Sequence, residues 1–334
     1  MTIRERQERD EEARLSPYAA LSSRSAGRAH PISTCDLRTC YQRDRDRIIH
    51  CKSFRRLKYK TQVFLTPMGD HYRTRLTHTL EVSQVARTLA RSLRLNEDLT
   101  EAAALGHDLG HTPFGHIGES TLNRLLPDGF RHNEQSLRVA ERLENDGQGL
   151  NLCRETLDGI LNHSGQNEPK TLEGWCVRRA DRIAYINHDI DDAIRGGILK
   201  PFELPRRCLS VLGETHGERI DTMIRDIVTT SMDQPFVRMS EEVRQASEEL
   251  RAFLFEYVYH DEWRKKEEAR CDYILSALYE HYLAHPEQLP AEYLEINFTE
   301  GAERAVCDFI ACMTDRYAID QFSEIFVPGA FGRR

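Results

Sequence analysis

Leu105-Gly106-His107-Asp108-Leu109-Gly110-His111-Thr112-Pro113-Phe114-Gly115-His116-Ile117-Gly118-Glu119 puts three histidines, an aspartate and a glutamate into a short run broken by glycines. Titratable groups at that density are costly to bury in an apolar core and well suited to an active site. The approach to the run reads as a helix. Asn96, followed by Glu97 and Asp98, gives a helix start, and Ala102, Ala103 and Leu105 carry it to His107-Asp108. Gly110 and Pro113 stop it, so the pair is expected in the last helical turn, with His116 and Glu119 resuming beyond the break.

Outward from this run the pattern stays helical. Between Arg75 and Leu93, the residues Leu80, Val82, Val85, Ala86, Leu89 and Leu93 recur at helical spacing. His78 shares the stripe of Val82, Val85 and Leu89, so it points inward at the N-terminal end of that helix. Thr171 to Arg195 is a second informative helix, with Leu172, Cys176, Ala180, Ile183, Ala184, Ile190 and Ile194 on an apolar face. Asp181, Tyr185, His188, Asp189 and Asp192 form one polar stripe on it, and Gly196-Gly197 closes it. Asp44 to Arg56 is also helical, as are Leu250 to Val258 and Cys271 to Leu283. Residues 15–34 look irregular, and the charged Met1–Arg14 segment reads as a solvated helix or a loose arm. The expected fold is all-α: an N-terminal arm and irregular segment at 1–39, a helical catalytic core at 40–200 and a helical C-terminal region at 201–334 packed on it.

The chain has 334 residues and a formal net charge of −8, with both signs interspersed. That balance argues against a dedicated non-specific nucleic-acid binder, while leaving room for a local basic cleft. Nine scattered cysteines without a CxxC pair fit reduced thiols in a cytoplasmic protein. No apolar run approaches a membrane span. Lys52, Arg55, Arg56, Lys58 and Lys60 form a basic cluster with no acid before Asp70. It reads as a phosphate or regulatory surface, or equally as a solvated helix face or a source of intersubunit salt bridges.

His78, His107, Asp108 and Asp181 together make a mixed nitrogen–oxygen set able to close around one divalent ion: Mn, Mg, Co, Fe, Ni or Zn. Taken singly, His78 is readily a hydrogen-bonded core histidine and Asp181 a solvated helix acid. The metal reading gains force because all four must be explained at once.

These residues sit in blocks that resemble the HD superfamily, specifically its dGTPase-like deoxynucleoside triphosphate triphosphohydrolases in their shorter bacterial branch. The resemblance runs over Arg43–His50, Phe54–Phe64, Arg75–Val82, His107–Glu119, Phe130–Ser136, Ala180–Tyr185 and Met313–Ala318. It implies a reaction in which water attacks the α-phosphorus of a dNTP, dGTP or another, releasing deoxynucleoside and inorganic triphosphate. By position it implies His78, His107, Asp108 and Asp181 as metal ligands, and His116 as general acid at the 5′-oxygen with Glu119 orienting it. It further implies Arg75, His111, His132 and Arg182 on the triphosphate, and Gln62, Tyr185 and Asp189 on the sugar, Tyr185 excluding a 2′-hydroxyl. Relatives assemble into homo-oligomers, hexamers among them, and some take a second dNTP as activator. His163 and His188 receive no role and read as structural.

Two other functions remain in view. One is an HD phosphohydrolase of different substrate: a nucleoside monophosphate, (p)ppGpp or a cyclic nucleotide. The other is a non-catalytic nucleotide or single-stranded DNA binder, which the complete ligand set and His116 argue against.

Overall fold

The computed structural model describes residues 1–62, 73–257 and 262–329, with only the backbone of 262–264. Val63, Phe64, Asp70 and Val258 of the sequence reading lie outside these residues. Among the described residues there are sixteen α-helices, and the only β pairing is two isolated bridges, Arg28 with Cys153 and Thr61 with Thr74.

Three helices frame the site. Thr74 caps the Arg75–Ser92 helix by accepting from the Thr77 N–H. Asn96 caps Glu97–Gly106 through the Leu99 N–H, and Thr171 caps Leu172–Arg195 through the Gly174 N–H. The three pack on one another. Val82, Leu89, Ile183, Ile186 and Ile190 interlock there, each at most 1 % exposed. Each contributes about 1.5–3 kcal/mol by leaving water.

The Leu172–Arg195 helix is buried on more sides than its sequence stripe indicates. His188, Asp189 and Asp192 are as buried as the apolar face, because the helices His216–Ser231 and Glu241–Tyr257 cover it. Two apolar clusters cross residue 200. One joins Val82 and Ile190 to Met223, Ile227, Leu250 and Leu254. The other joins Phe114, Leu122 and Phe130 to Leu275, Leu278, Ile310 and Met313.

The N-terminal segment is a helix, Ile3–Arg14, closed by a Thr2–Glu5 capping box. All nine cysteines are free. The basic cluster does not form one surface. Lys60 turns inward at 2 % exposure and donates to the carbonyls of His111 and Ala311. Burial pulls its amine down to about 7. Arg56 donates to the Ser53 hydroxyl, and Arg55 to the His50 carbonyl. No helix among the described residues is long and apolar enough to cross a membrane.

Candidate metal centre and active site

The Glu97–Gly106 helix ends one residue before His107-Asp108, so the pair occupies the cap and the following turn instead of the last helical turn. Close packing gives the reason. A Cβ on Gly110 would lie 2.1 Å from the backbone nitrogen of Ser136, so the chain must turn there to pass the His132–Arg138 helix. His107 keeps helical dihedrals (φ −61°, ψ −36°), and its Nδ1–H donates to the Ala104 carbonyl at 2.6 Å. That fixes the proton on Nδ1 and leaves the Nε2 lone pair buried without a hydrogen-bond partner among the described residues.

His78 Nε2 stands 3.1 Å from Asp181 Oδ1 and 4.0 Å from Asp108 Oδ2. His107 Nε2 is 3.5 Å from Asp108 Oδ1 and 3.8 Å from Asp181 Oδ1. Ligand atoms held about 2.1 Å from one octahedral ion lie about 3.0–4.2 Å apart. His78, His107 and Asp108 therefore have the spacing of a single-ion site, Asp181 stands within reach of both imidazoles, and the His107 nitrogen, unpartnered among the described residues, fits a metal better than it fits a core.

The electrostatics point the same way. Burial alone would raise the Asp108 carboxyl, but His107 and the Arg75 guanidinium hold it well below the usual range. Arg75 Nη1 donates to Asp108 Oδ2 at 2.7 Å. Burial opposes ionisation of Asp181 too, yet its bond with His78 and the charge field of His107 keep it below the usual range. Both carboxylates are anionic at neutral pH.

A second group of imidazoles adjoins the first. His116 opens the His116–Leu125 helix, its Nδ1 3.6 Å from Glu119 Oε2. Glu119 Oε1 accepts from the His132 backbone N–H at 2.9 Å and pairs with His132 Nδ1 at 2.8 Å. Despite burial, bonds to His116 and His132 hold Glu119 far below the usual carboxylate range.

On its other side, His132 Nε2 lies 3.2 Å from His163 Nε2. His163 Nδ1–H donates to the Ile160 carbonyl at 2.7 Å, so its Nε2 can only accept. An imidazolium at His132 would donate from both ring nitrogens, to Glu119 and to His163; the Ser164 hydroxyl, 3.3 Å from the same Nε2, is a further partner. Burial would lower His132, but Glu119 outweighs it and raises its pKa. Burial, with His107 and His132 adding to it, pulls His163 down to about 3. His111 stacks on His132 at 4.8 Å, and burial beside Arg75 keeps it neutral.

These residues surround a cavity of about 640 Å³, within the range of small-molecule sites. Of the expected site residues, Gln62, Arg75, His78, Asp108, His111, His116, His132, Asp181, Arg182 and Tyr185 line it. His107 and Glu119 stand directly behind the wall through the contacts above. Asp189, expected on the sugar, is fully buried and is not part of the wall. Gln62 presents a buried Oε1 with no hydrogen-bond partner among the described residues. Burial, and Arg251 nearby, lower the Arg182 guanidinium from its ordinary value.

Sequence reasoning missed His163, Arg178, Arg251 and Phe255, which also line the cavity. His163 forms with His107 and Asp181 another of the groups whose ligand atoms lie close enough to hold an ion. No local spacing marks it, since it meets His132 only through the fold. Arg251 and Phe255 come from the Glu241–Tyr257 helix, whose amphipathic sequence carries no motif.

An all-α frame with a His, His-Asp and Asp set at the base of a polar cavity defines the class of HD phosphohydrolases. An HD domain family model matches residues 75–186, and a phosphohydrolase-associated domain model matches residues 237–324. The chain is 58 % identical to the deoxyguanosinetriphosphate triphosphohydrolase-like protein of Caldanaerobacter subterraneus subsp. tengcongensis, over 98 % of this chain and 97 % of that one. It is 51 % identical to the protein of the same name from Clostridium perfringens (strain 13 / Type A), over 98 % of each. A solved structure, a hypothetical protein from Aquifex aeolicus, covers 85 % of this chain and 71 % of its own at 21 % identity and TM-score 0.36. The chain belongs to the deoxyguanosinetriphosphate triphosphohydrolase-like family of HD-domain proteins.

Proposed function

We propose that the protein is a metal-dependent dNTP triphosphohydrolase that converts a dNTP and water to deoxynucleoside and inorganic triphosphate. The observation that supports this reading is the joining, around one cavity, of His78, Asp108 and Asp181, with His107 behind them, to cationic and imidazole groups and a half-exposed histidine, His116, at 49 % exposure. His78, His107, Asp108 and Asp181 would hold one divalent ion; when bound, it supplies Lewis acidity at the phosphoryl oxygen and acidifies the attacking water.

The other roles belong to the chain's own groups. Arg75, His111, the His132 imidazolium and Arg182 offer hydrogen-bond donors to a triphosphate. Water adds to the α-phosphorus, the bond from phosphorus to the 5′-oxygen breaks, and His116 gives its proton to that oxygen. Glu119 aligns His116 and keeps His132 charged. Tyr185, whose ring meets His116 edge-on at 6.4 Å, occupies the space a ribose 2′-hydroxyl would need. The Gln62 Oε1, unpartnered among the described residues, would accept from a 3′-hydroxyl.

The test is product analysis. Purified protein is incubated with each dNTP, alone and mixed, with Mg or Mn, and the products are chromatographed. Intact triphosphate plus deoxynucleoside supports the reading. Pyrophosphate, orthophosphate or no turnover refutes it, and turnover of a nucleoside monophosphate, (p)ppGpp or a cyclic nucleotide in place of dNTPs moves the protein to another HD activity.

A further inference from the structure

We propose that Asp315 is a positioning residue that fixes the loop bearing His111 and His116, which makes the C-terminal region part of the catalytic apparatus; the inference rests on the reading of His116 as general acid. Asp315 begins the Asp315–Phe326 helix, yet its side-chain oxygens accept from groups outside that helix. Oδ1 accepts from the Phe114 backbone N–H at 2.9 Å. Oδ2 accepts from the Thr61 N–H at 2.9 Å and from the Thr61 hydroxyl.

The loop needs such a hold. Phe114 has φ +62°, a left-handed conformation that side chains other than glycine rarely adopt. Gly115 follows at φ +62°, where a Cβ would meet the Gln62 carbonyl at 2.9 Å. This double reversal starts the His116–Leu125 helix and so sets where the His116 ring lies. The Phe114 ring is anchored in the cluster of Leu275, Ile310 and Met313. The other end of the loop is held by Lys60, whose Nζ donates to the His111 carbonyl and to that of Ala311, 2.8 Å away. Both holds therefore trace to residues 311–315, across about two hundred residues of chain.

A carboxylate suits this post where an amide does not. Three donors converge on two oxygens, so asparagine would turn its NH₂ toward either Phe114 or Thr61.

The test uses the full chain. Asp315→Asn and His116→Ala are made singly and together, and dNTP turnover is followed well below each melting temperature. Asp315→Asn is expected to lower kcat roughly 10- to 100-fold, with KM and metal content within about twofold of wild type. In the His116→Ala background it is expected to add less than about threefold, because a residue acting through His116 has nothing left to position. Effects that multiply in full overturn the inference.

Thr61→Val keeps the Phe114 bond and is expected to stay within about twofold of wild type; a loss equal to that of Asp315→Asn overturns the inference. Should the asparagine variant not fold, Asp315→Ser replaces it. Hydrogen exchange gives a readout independent of substrate. Amides of residues 109–117 are expected to exchange faster in Asp315→Asn, with those of Leu172–Arg195 unchanged. Unchanged loop exchange, or a uniform rise, overturns the inference. Wild-type protein inactive on every dNTP would remove the functional reading, while the exchange result still decides the positioning claim.

Discussion

Replacing Asp108 by alanine separates the stability of the site from its chemistry. The carboxylate is 2 % exposed, as is Arg75, which donates to it at 2.7 Å. Without it the Arg75 guanidinium keeps one hydrogen-bond partner among the described residues, the Gln62 carbonyl at 3.1 Å. Removing one member of a buried ion pair costs roughly 3–5 kcal/mol, because the surviving charge is left desolvated. Metal-free Asp108→Ala protein is therefore expected to lose about that much unfolding free energy, read by urea titration in chelator. Arg75→Met removes the other partner, but His78 and His107 still face the carboxylate. It is expected to keep its metal while Asp108→Ala loses it.

Metal content after dialysis, by elemental analysis, reads that difference. The fall in affinity for Asp108→Ala is expected to exceed the roughly 10- to 100-fold that follows loss of an outer-shell partner, and turnover is expected to vanish. Stoichiometric metal with full activity in Asp108→Ala would show that the four-group site is not the metal site. Unchanged stability in chelator would show that the Asp108–Arg75 pair does not carry the energy assigned to it.

His116→Ala is expected to retain metal and dNTP binding while kcat falls roughly 10²- to 10⁴-fold; loss of metal on elemental analysis would contradict its role as acid. Tyr185→Ala should open space beside the sugar and cut the preference for dNTP over NTP by about tenfold or more, read from kcat/KM for paired substrates; an unchanged ratio refutes the steric role. The His132 pKa is raised in the fold, so its stabilising contribution is complete below the unfolded value of about 6.5 and fades as pH rises through the raised value. The stability advantage of wild type over His132→Gln should be larger at pH 6 than at pH 9, and the opposite slope would contradict the imidazolium assignment.

The helical fold and the residues that gather around His107-Asp108 were legible because their signals are local. The stripe of Val82, Val85 and Leu89 oriented His78, and the spacing of Ile183 and Ile190 placed Asp181 on a long helix. The rest depends on contacts distant in sequence. His163 needs a partner 31 residues away to declare itself. Lys60 sits in a basic run that reads as surface, and only the two carbonyls it finds in the fold account for its burial. The last-turn placement of His107-Asp108 failed by about a residue, since the close pass of Gly110 against Ser136 is invisible in a helix-stop pattern. Asp189 matched the polar stripe of its helix, but that stripe lies under the C-terminal helices and is mostly core.

The central claim is that one ion, gripped by two imidazoles and two carboxylates, is required to release triphosphate whole. Its most direct test is to strip the protein of metal, supply dGTP and the other dNTPs, and add Mn²⁺ in sub-stoichiometric steps while inorganic triphosphate is measured by ion chromatography. Triphosphate formation should rise in proportion to added metal and break at one equivalent per chain. Triphosphate formed without metal, or pyrophosphate or orthophosphate formed in its place, would contradict the claim.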